Sequence, residues 1–182
     1  MNDERSTEWA EPLLKWRIEQ FTGSGLSEDT ITFLTQTGLP QSAAPCLDFE
    51  TPENAHVGIF PERWGVPEVT KEHLRRYVHI GSDGGGNPIC LDPALEDRVV
   101  MLDHEGGFAP AFINTSIQHF AASLLRVKQL YEQADENEQQ GGVRVTPRMQ
   151  EELRRDLERI DAAALGPNLF WSCECECIVD YL

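Results

Sequence analysis

Tyr77 to Asp92 reads YVHIGSDGGGNPICLD, Arg98 to Gly106 reads RVVMLDHEG, and Ala111 to Leu125 reads AFINTSIQHFAASLL. Short apolar runs alternate here with turn-forming residues, and a capped amphipathic segment follows. Tyr77–Ile80 predicts a strand. In SDGGGN, the glycines Gly84, Gly85 and Gly86 and the amide Asn87 take positive φ at little cost, which predicts a tight turn. Ile89–Leu91 predicts the returning strand, with Pro88 at its first position, where a missing N–H does least harm. DPALED, from Asp92, predicts a second turn, and Arg98–Asp103 predicts a β-branched strand. Phe112 and Ile113 predict a further short strand. Ser116 caps a helix whose Ile117, Phe120, Leu124 and Val127 fall on one stripe, widened by Ala121 and Leu125. Strands that follow one another through short turns pair with their neighbours, so the region predicts an antiparallel sheet.

Upstream, Glu8–Phe21 predicts a helix, because Leu14, Ile18 and Phe21 share helical spacing and Pro12 lies near its start. Ser27 is the expected N-cap of a second helix, with Glu28 and Asp29 complementing its dipole and Ile31, Phe33 and Leu34 forming its apolar side. Gly38 stands at its C′ position, and Pro40 follows as a stop. Gln41–Pro67 carries Pro45, Pro52, Pro61 and Pro67 and reads as irregular, with short strands near Leu47–Phe49 and Val57–Phe60. Pro67–Arg75 predicts a helical turn. Downstream, Asp135–Val145 is polar and low in complexity, which predicts a mobile loop. Thr146 and Pro147 open the next helix as N-cap and N1. Met149, Leu153, Leu157, Ile160 and Ala164 form its stripe, Glu151 and Arg155 an i,i+4 pair, and Gly166-Pro167 its end. Asn168–Leu182 reads as a helix with Phe170, Cys173, Cys177, Ile178 and Tyr181 on one face.

A chain of 182 residues with 40% hydrophobic and 25% charged residues is expected to form one globular domain with a substantial core. The expected class is α+β, a central and mainly antiparallel sheet flanked by helices. The net charge is −16. That weighs against a nucleic-acid partner, whose phosphates require Lys and Arg. Ile18 to Glu62 contains no Lys or Arg but seven acids: Glu19, Glu28, Asp29, Asp48, Glu50, Glu53 and Glu62. Such a stretch reads either as a solvated surface or as a face shaped for a basic partner. The charged N-terminus has no apolar signal core, and no run approaches the ~20 apolar residues of a membrane span. A cytoplasmic protein without a membrane partner is expected. Five cysteines without a regular framework suggest reduced thiols.

The chemistry-bearing motifs are weak. GSDGGGNP joins two strands, lacks lysine and carries Asp83, so it reads as a hairpin turn and not as a phosphate loop. Cys173, Cys175 and Cys177 form C-x-C-x-C, which is not the spacing of a zinc knuckle, and cysteines also pack as small hydrophobes. His79, His104 and His119, with Asp92 and Asp103, would converge only if the fold brought them together. No HExxH or G-x-S-x-G motif is present. No cofactor, metal or catalytic residue is assigned.

TGLP at Thr37–Pro40, IGSDGGGNPICLD at Ile80–Asp92, VVMLDHE at Val99–Glu105 and FINTSIQHFAASLL at Phe112–Leu125 together resemble the SUKH superfamily. More narrowly, they resemble its fourth group of bacterial immunity proteins, related to a yeast cell-wall regulator with the same domain. The resemblance runs from the Ser27 helix to about Phe170-Trp171. It implies a single α+β domain, made in the cytoplasm, that neutralises a cognate toxin of a polymorphic toxin system by direct binding. Many such toxins are nucleases; others are deaminases or ADP-ribosylating enzymes. The family has no agreed catalytic residues to carry over. SCECEC, from Ser172, and the polar stretch Asp135–Val145 depart from the family pattern.

The charge and the resemblance then meet. A nuclease needs a basic cleft for its polyanionic substrate, and an acidic protein can mimic that substrate. Trp64 is the candidate aromatic anchor, with Asp83, Glu105, Glu50 and Glu53 as acidic contacts; core packing is the other reading of Trp64. The alternatives are a regulatory interaction domain of the same fold, or a metal protein or enzyme using His79, His104, Asp103 or the cysteine run.

Overall fold

The computed structural model of the chain describes residues 9–53, 57–59 and 72–178. Seven strands form one sheet: β1 (Ser42–Ala43), β2 (Leu47–Phe49), β3 (Gly58–Ile59), β4 (Val78–Asp83), β5 (Pro88–Asp92), β6 (Arg98–Asp103) and β7 (Ala109–Asn114). The order is β1-β2-β4-β5-β6-β7, and every pair is antiparallel. β2 and β3 share one edge of β4, β2 opposite Gly81–Asp83 and β3 opposite Val78 and His79. The α-helices are α1 (Glu28–Thr32), α2 (Ile117–Gln139), α3 (Pro147–Ile160) and α4 (Phe170–Cys177). The class is α+β, as expected.

Alternation decides what each sheet face buries. Val78, Ile80, Ile89, Leu91 and Val99 point to the helical side and join Ile117, Phe120, Leu124 and Val127 of α2 in the main core. Phe120 sits at the centre, edge-on to Phe49 at 5.9 Å and 6.4 Å from Trp171. On the opposite face Leu74, Tyr77, Cys90, Val100, Leu102 and Phe108 form a second, smaller cluster. β5 is therefore buried along its whole length.

The capping predictions hold. Ser27, Ser116 and Thr146 each accept an N–H bond from three residues on, at Thr30, His119 and Met149. Gly38 takes φ +84° as α1 ends in a π-turn, and its N–H donates to Phe33 O at 2.8 Å. In the SDGGGN turn only Gly86 uses the left-handed region, at φ +88°.

Several expectations are corrected. Residues 10–17 are not helical, and Ile18–Phe21 forms a 3₁₀ turn. The backbone pairs outward instead. Leu14 N–H donates to Leu39 O at 2.7 Å, Leu39 N–H returns to Leu14 O, and Trp16 N–H reaches Leu34 O. This extended path buries Trp9, Trp16 and Phe21 while leaving Ile18 exposed, and it places Pro12 where no helical N–H is missed. Asp135–Gln139 is not a loop but the last turns of α2. The two glycines end that helix in a Schellman arrangement: Gly141, at φ +76°, donates to Glu138 O and Gly142 to Asn137 O. Arg144 folds back to Asp135 at 2.8 Å and Glu138 at 3.6 Å. The short strand at Phe112 and Ile113 is the six-residue β7. α3 stops at Ile160, because Asp161 turns to φ −154° and directs its side chain back to β7; Ala162–Leu165 continues as a 3₁₀ turn. The buried face of α4 is Trp171, Cys175 and Ile178, with Cys173 exposed. Of Pro67–Arg75, residues 72–74 are helical and residues 67–71 lie outside the described residues, as does Tyr181.

Candidate functional site

The histidines do not converge. His79 is fully buried, opposite Cys90 on β5 and Gly58 on β3. His104 lies at the other end of the strands, where its ring Nδ1 meets Asn87 Oδ1 at 2.8 Å. His119 is half exposed on α2, with Thr115 Oγ1 at 2.8 Å. Asp92 is buried in an ion pair with Arg76 at 2.7 Å and caps the turn after β5 by accepting from Ala94 N–H. Burial of Tyr77 beside that pair raises its phenol above the ordinary range against the lowering pull of Arg76. On α4, residues two apart point to nearly opposite sides, so Cys173 and Cys175 cannot share a ligand position. Burial pushes the Cys175 thiol up to about 11, which favours the protonated form over a thiolate ligand.

Two of the sequence-predicted contact acids come together. Asp83 Oδ1 accepts from Gly85 N–H at 2.9 Å and Asn87 N–H at 2.7 Å, and Oδ2 accepts from Asn87 Nδ2 at 2.8 Å. Asn87 Oδ1 accepts in turn from His104 N–H at 3.1 Å. One asparagine thus staples the β4–β5 turn to the β6–β7 turn, which carries the exposed Glu105. Asp83 and Glu105 share one end of the sheet. Glu50 does not: its N–H donates to Ile80 O, three residues and about 10 Å along β4 from Asp83. Its carbonyl anchors Trp16 Nε1 at 2.8 Å. Glu53 is exposed three residues further on. Trp64 and Glu62 lie outside the described residues.

A groove that sequence reasoning missed runs along α2. It comprises three adjoining cavities. The first, about 380 Å³, lies between the N-terminal segment and α2, with Trp9, Phe33 and Leu125 in its walls. The second, about 340 Å³, shares Trp9 and carries Glu11, Glu132 and Asp135. The third, about 590 Å³, shares Tyr131 with the second and opens between the Asp83 turn, Cys46 and α4, where Phe170 and Glu174 line it. Five carboxylates face the second and third cavities: Glu11, Glu132, Asp135, Asp83 and Glu174. The lysine there, Lys128, is paired with Glu132. Glu174 has no hydrogen bond or ion pair for its carboxylate among the described residues, and burial holds its pKa above the ordinary range. Its only sequence signal was position: four residues after Phe170 on a helix, it shares that side chain's face.

The family comparison agrees with this architecture. The SUKH-4 immunity protein family matches residues 10–176. No curated protein and no solved structure matches the chain. The matched span takes in β1 to β7, α1 to α3, α4 up to Glu176, and every described wall residue of the acidic groove except Trp9, and the chain therefore belongs to the SUKH-4 immunity protein family.

Proposed function

We propose that the immunity role rests on direct binding of a basic toxin by this acidic surface, and that the toxin is a nuclease. The observation that carries the reading is the groove along α2, whose second and third cavities hold five carboxylates and a lysine that is already paired, on a chain of net charge −16. A nuclease presents a cationic cleft to its phosphate substrate. An acidic, partly apolar groove offers that cleft the opposite charge and a desolvated contact. Long-range attraction speeds the encounter to as much as ~10⁸–10⁹ M⁻¹s⁻¹ at low salt, which suits a protein that must intercept few, lethal molecules. Neutralisation here is stoichiometric occupation of the toxin and not catalysis. Trp64, Asp83, Glu105, Glu50 and Glu53 remain proposed contacts, with Asp83 and Glu105 on one rim and Glu50 and Glu53 away from it. The reading places the encounter in the cytoplasm and gives nucleic acid and membranes no part.

The test is to co-express the chain with the product of the adjacent upstream gene and to follow association as ionic strength rises. A complex whose association rate falls steeply with salt, with loss of nuclease activity, is expected. A complex indifferent to salt would remove the electrostatic reading, and a toxin with no activity on nucleic acid would remove the nuclease assignment.

A further inference from the structure

We propose that the cavity between the Asp83 turn and α4 receives an arginine side chain of the toxin, with Glu174 as its carboxylate partner and Tyr131 and Phe170 as its aromatic walls, a deepening that rests on the toxin-binding reading above. Among the described residues, the cavity of about 590 Å³ is lined by the carboxylates Asp83 and Glu174 and by no Lys, Arg or His. Pro45, Leu47, Tyr131 and Phe170 offer apolar surface for a methylene stem and aromatic faces for a planar cation. Arginine matches this better than lysine, because guanidinium is weakly hydrated and stacks on rings, whereas an ammonium holds its water.

Glu174 supplies the charge. It is half-buried, and nothing in the described fold pairs with it. Its desolvation raises the carboxyl pKa, so ionised Glu174 costs the isolated protein stability. A guanidinium entering the cavity removes that cost by supplying two parallel N–H donors. Asp83 plays a different part. Three of its lone-pair positions are taken by Gly85 and Asn87, so it adds negative potential at the rim without offering a full bidentate face.

The walls are pre-organised. Phe170 packs edge-on to Trp171 at 4.9 Å. Trp171 is fully buried, and its Nε1–H donates to Asn114 Oδ1 at 2.7 Å. Gln150 of α3 donates to the Cys175 carbonyl at 2.6 Å and fixes the turn of α4 that carries Glu174. Little freedom of the Phe170 ring and the α4 backbone is left to lose on binding.

The experiment uses the full chain and a catalytically inactivated form of the toxin that the co-expression test identifies. Glu174→Gln keeps the shape and removes the charge. We expect its dissociation constant for the toxin to rise by on the order of tenfold or more, while its melting temperature is equal to or above the parent's. Arginine-selective modification with phenylglyoxal, read by mass spectrometry, should show a toxin arginine protected by the parent and reactive in the Glu174→Gln complex. Unchanged affinity, affinity lost together with melting temperature, or the absence of any protected arginine would each overturn the pocket. A parental chain that forms no complex at all would instead overturn the toxin-binding reading beneath it.

Discussion

The junction around Asp161 buries its carboxylate and the groove around Glu174 half-buries one, and they treat it in opposite ways. Asp161 is 5% exposed. Its Oδ2 accepts from Asn114 Nδ2 at 3.0 Å, Thr115 N–H at 2.7 Å and Thr115 Oγ1 at 3.1 Å. Asn114 passes the network on to Trp171. One side chain after α3 thereby ties the end of β7, the start of α2 and the core of α4. Asp97 does the same for the N-terminal half, accepting from both N–H and Oγ of Ser27, at 2.9 and 2.6 Å, seventy residues away. A buried carboxylate whose Oδ2 collects two or three donors joins elements that are distant in sequence. Glu174, with no such partners, joins nothing inside the described chain. The contrast separates carboxylates that join elements of the fold from one that has no partner among the described residues.

Substitutions can break this contrast. The largest effect is expected for Asp161→Ala, which leaves the buried Asn114 Nδ2 and the part-buried Thr115 N–H without an acceptor. A loss of about 2–5 kcal/mol is expected, read from the urea midpoint; a loss below 1 kcal/mol would mean the network is not what joins β7 to α4. Trp171→Phe keeps the ring in the core but strands Asn114 Oδ1, and should cost about 1–3 kcal/mol. Glu174→Gln is expected to have the opposite sign. Burial raises the Glu174 pKa, so the folded state keeps its proton to higher pH than the unfolded chain. Stability from this group is complete below the ordinary glutamate range and is lost as pH rises through the raised value. The variant should therefore melt at or above the parent at pH 7 and match it at acid pH; a lower melting temperature at pH 7 would make Glu174 a structural residue. The smallest effect belongs to Glu152→Gln. Glu152 pairs with Arg148 at 2.8 Å, and that hydrogen bond lowers its pKa, but solvent screens the pair. No measurable change in thermal unfolding is expected.

Reading the sequence recovers what is local. β6 runs from Arg98 to Asp103 as its β-branched pattern predicts, and the Ser27, Ser116 and Thr146 caps stand where a short polar side chain precedes a helical stripe. It fails where a long-range partner decides. The helical spacing of Leu14, Ile18 and Phe21 is overridden because Leu39 and Leu34 offer backbone partners. The polar end of α2 looks like a loop until Arg144 and the Gly141-Gly142 stop are seen closing on it. The α4 stripe is chosen by the Asn114 bond to Trp171 and not by hydrophobicity alone. Of the site, Asp83 and Glu105 were legible as acids at turns, and their shared rim depends on Asn87, whose second role no local pattern signals. Glu174 was hidden inside a cysteine run.

Period, caps, turns and net charge come from the sequence alone, because each depends on neighbours within a few residues or on composition. They establish an acidic α+β chain with an antiparallel sheet. Which acids are engaged and which are left unpaired is decided only by the tertiary structure, because desolvation and hydrogen-bond satisfaction depend on groups that are far apart in the chain and close in space. That is why Asp161, unremarked in the sequence, links β7, α2 and α4, and why Glu174 stands without a partner among the described residues.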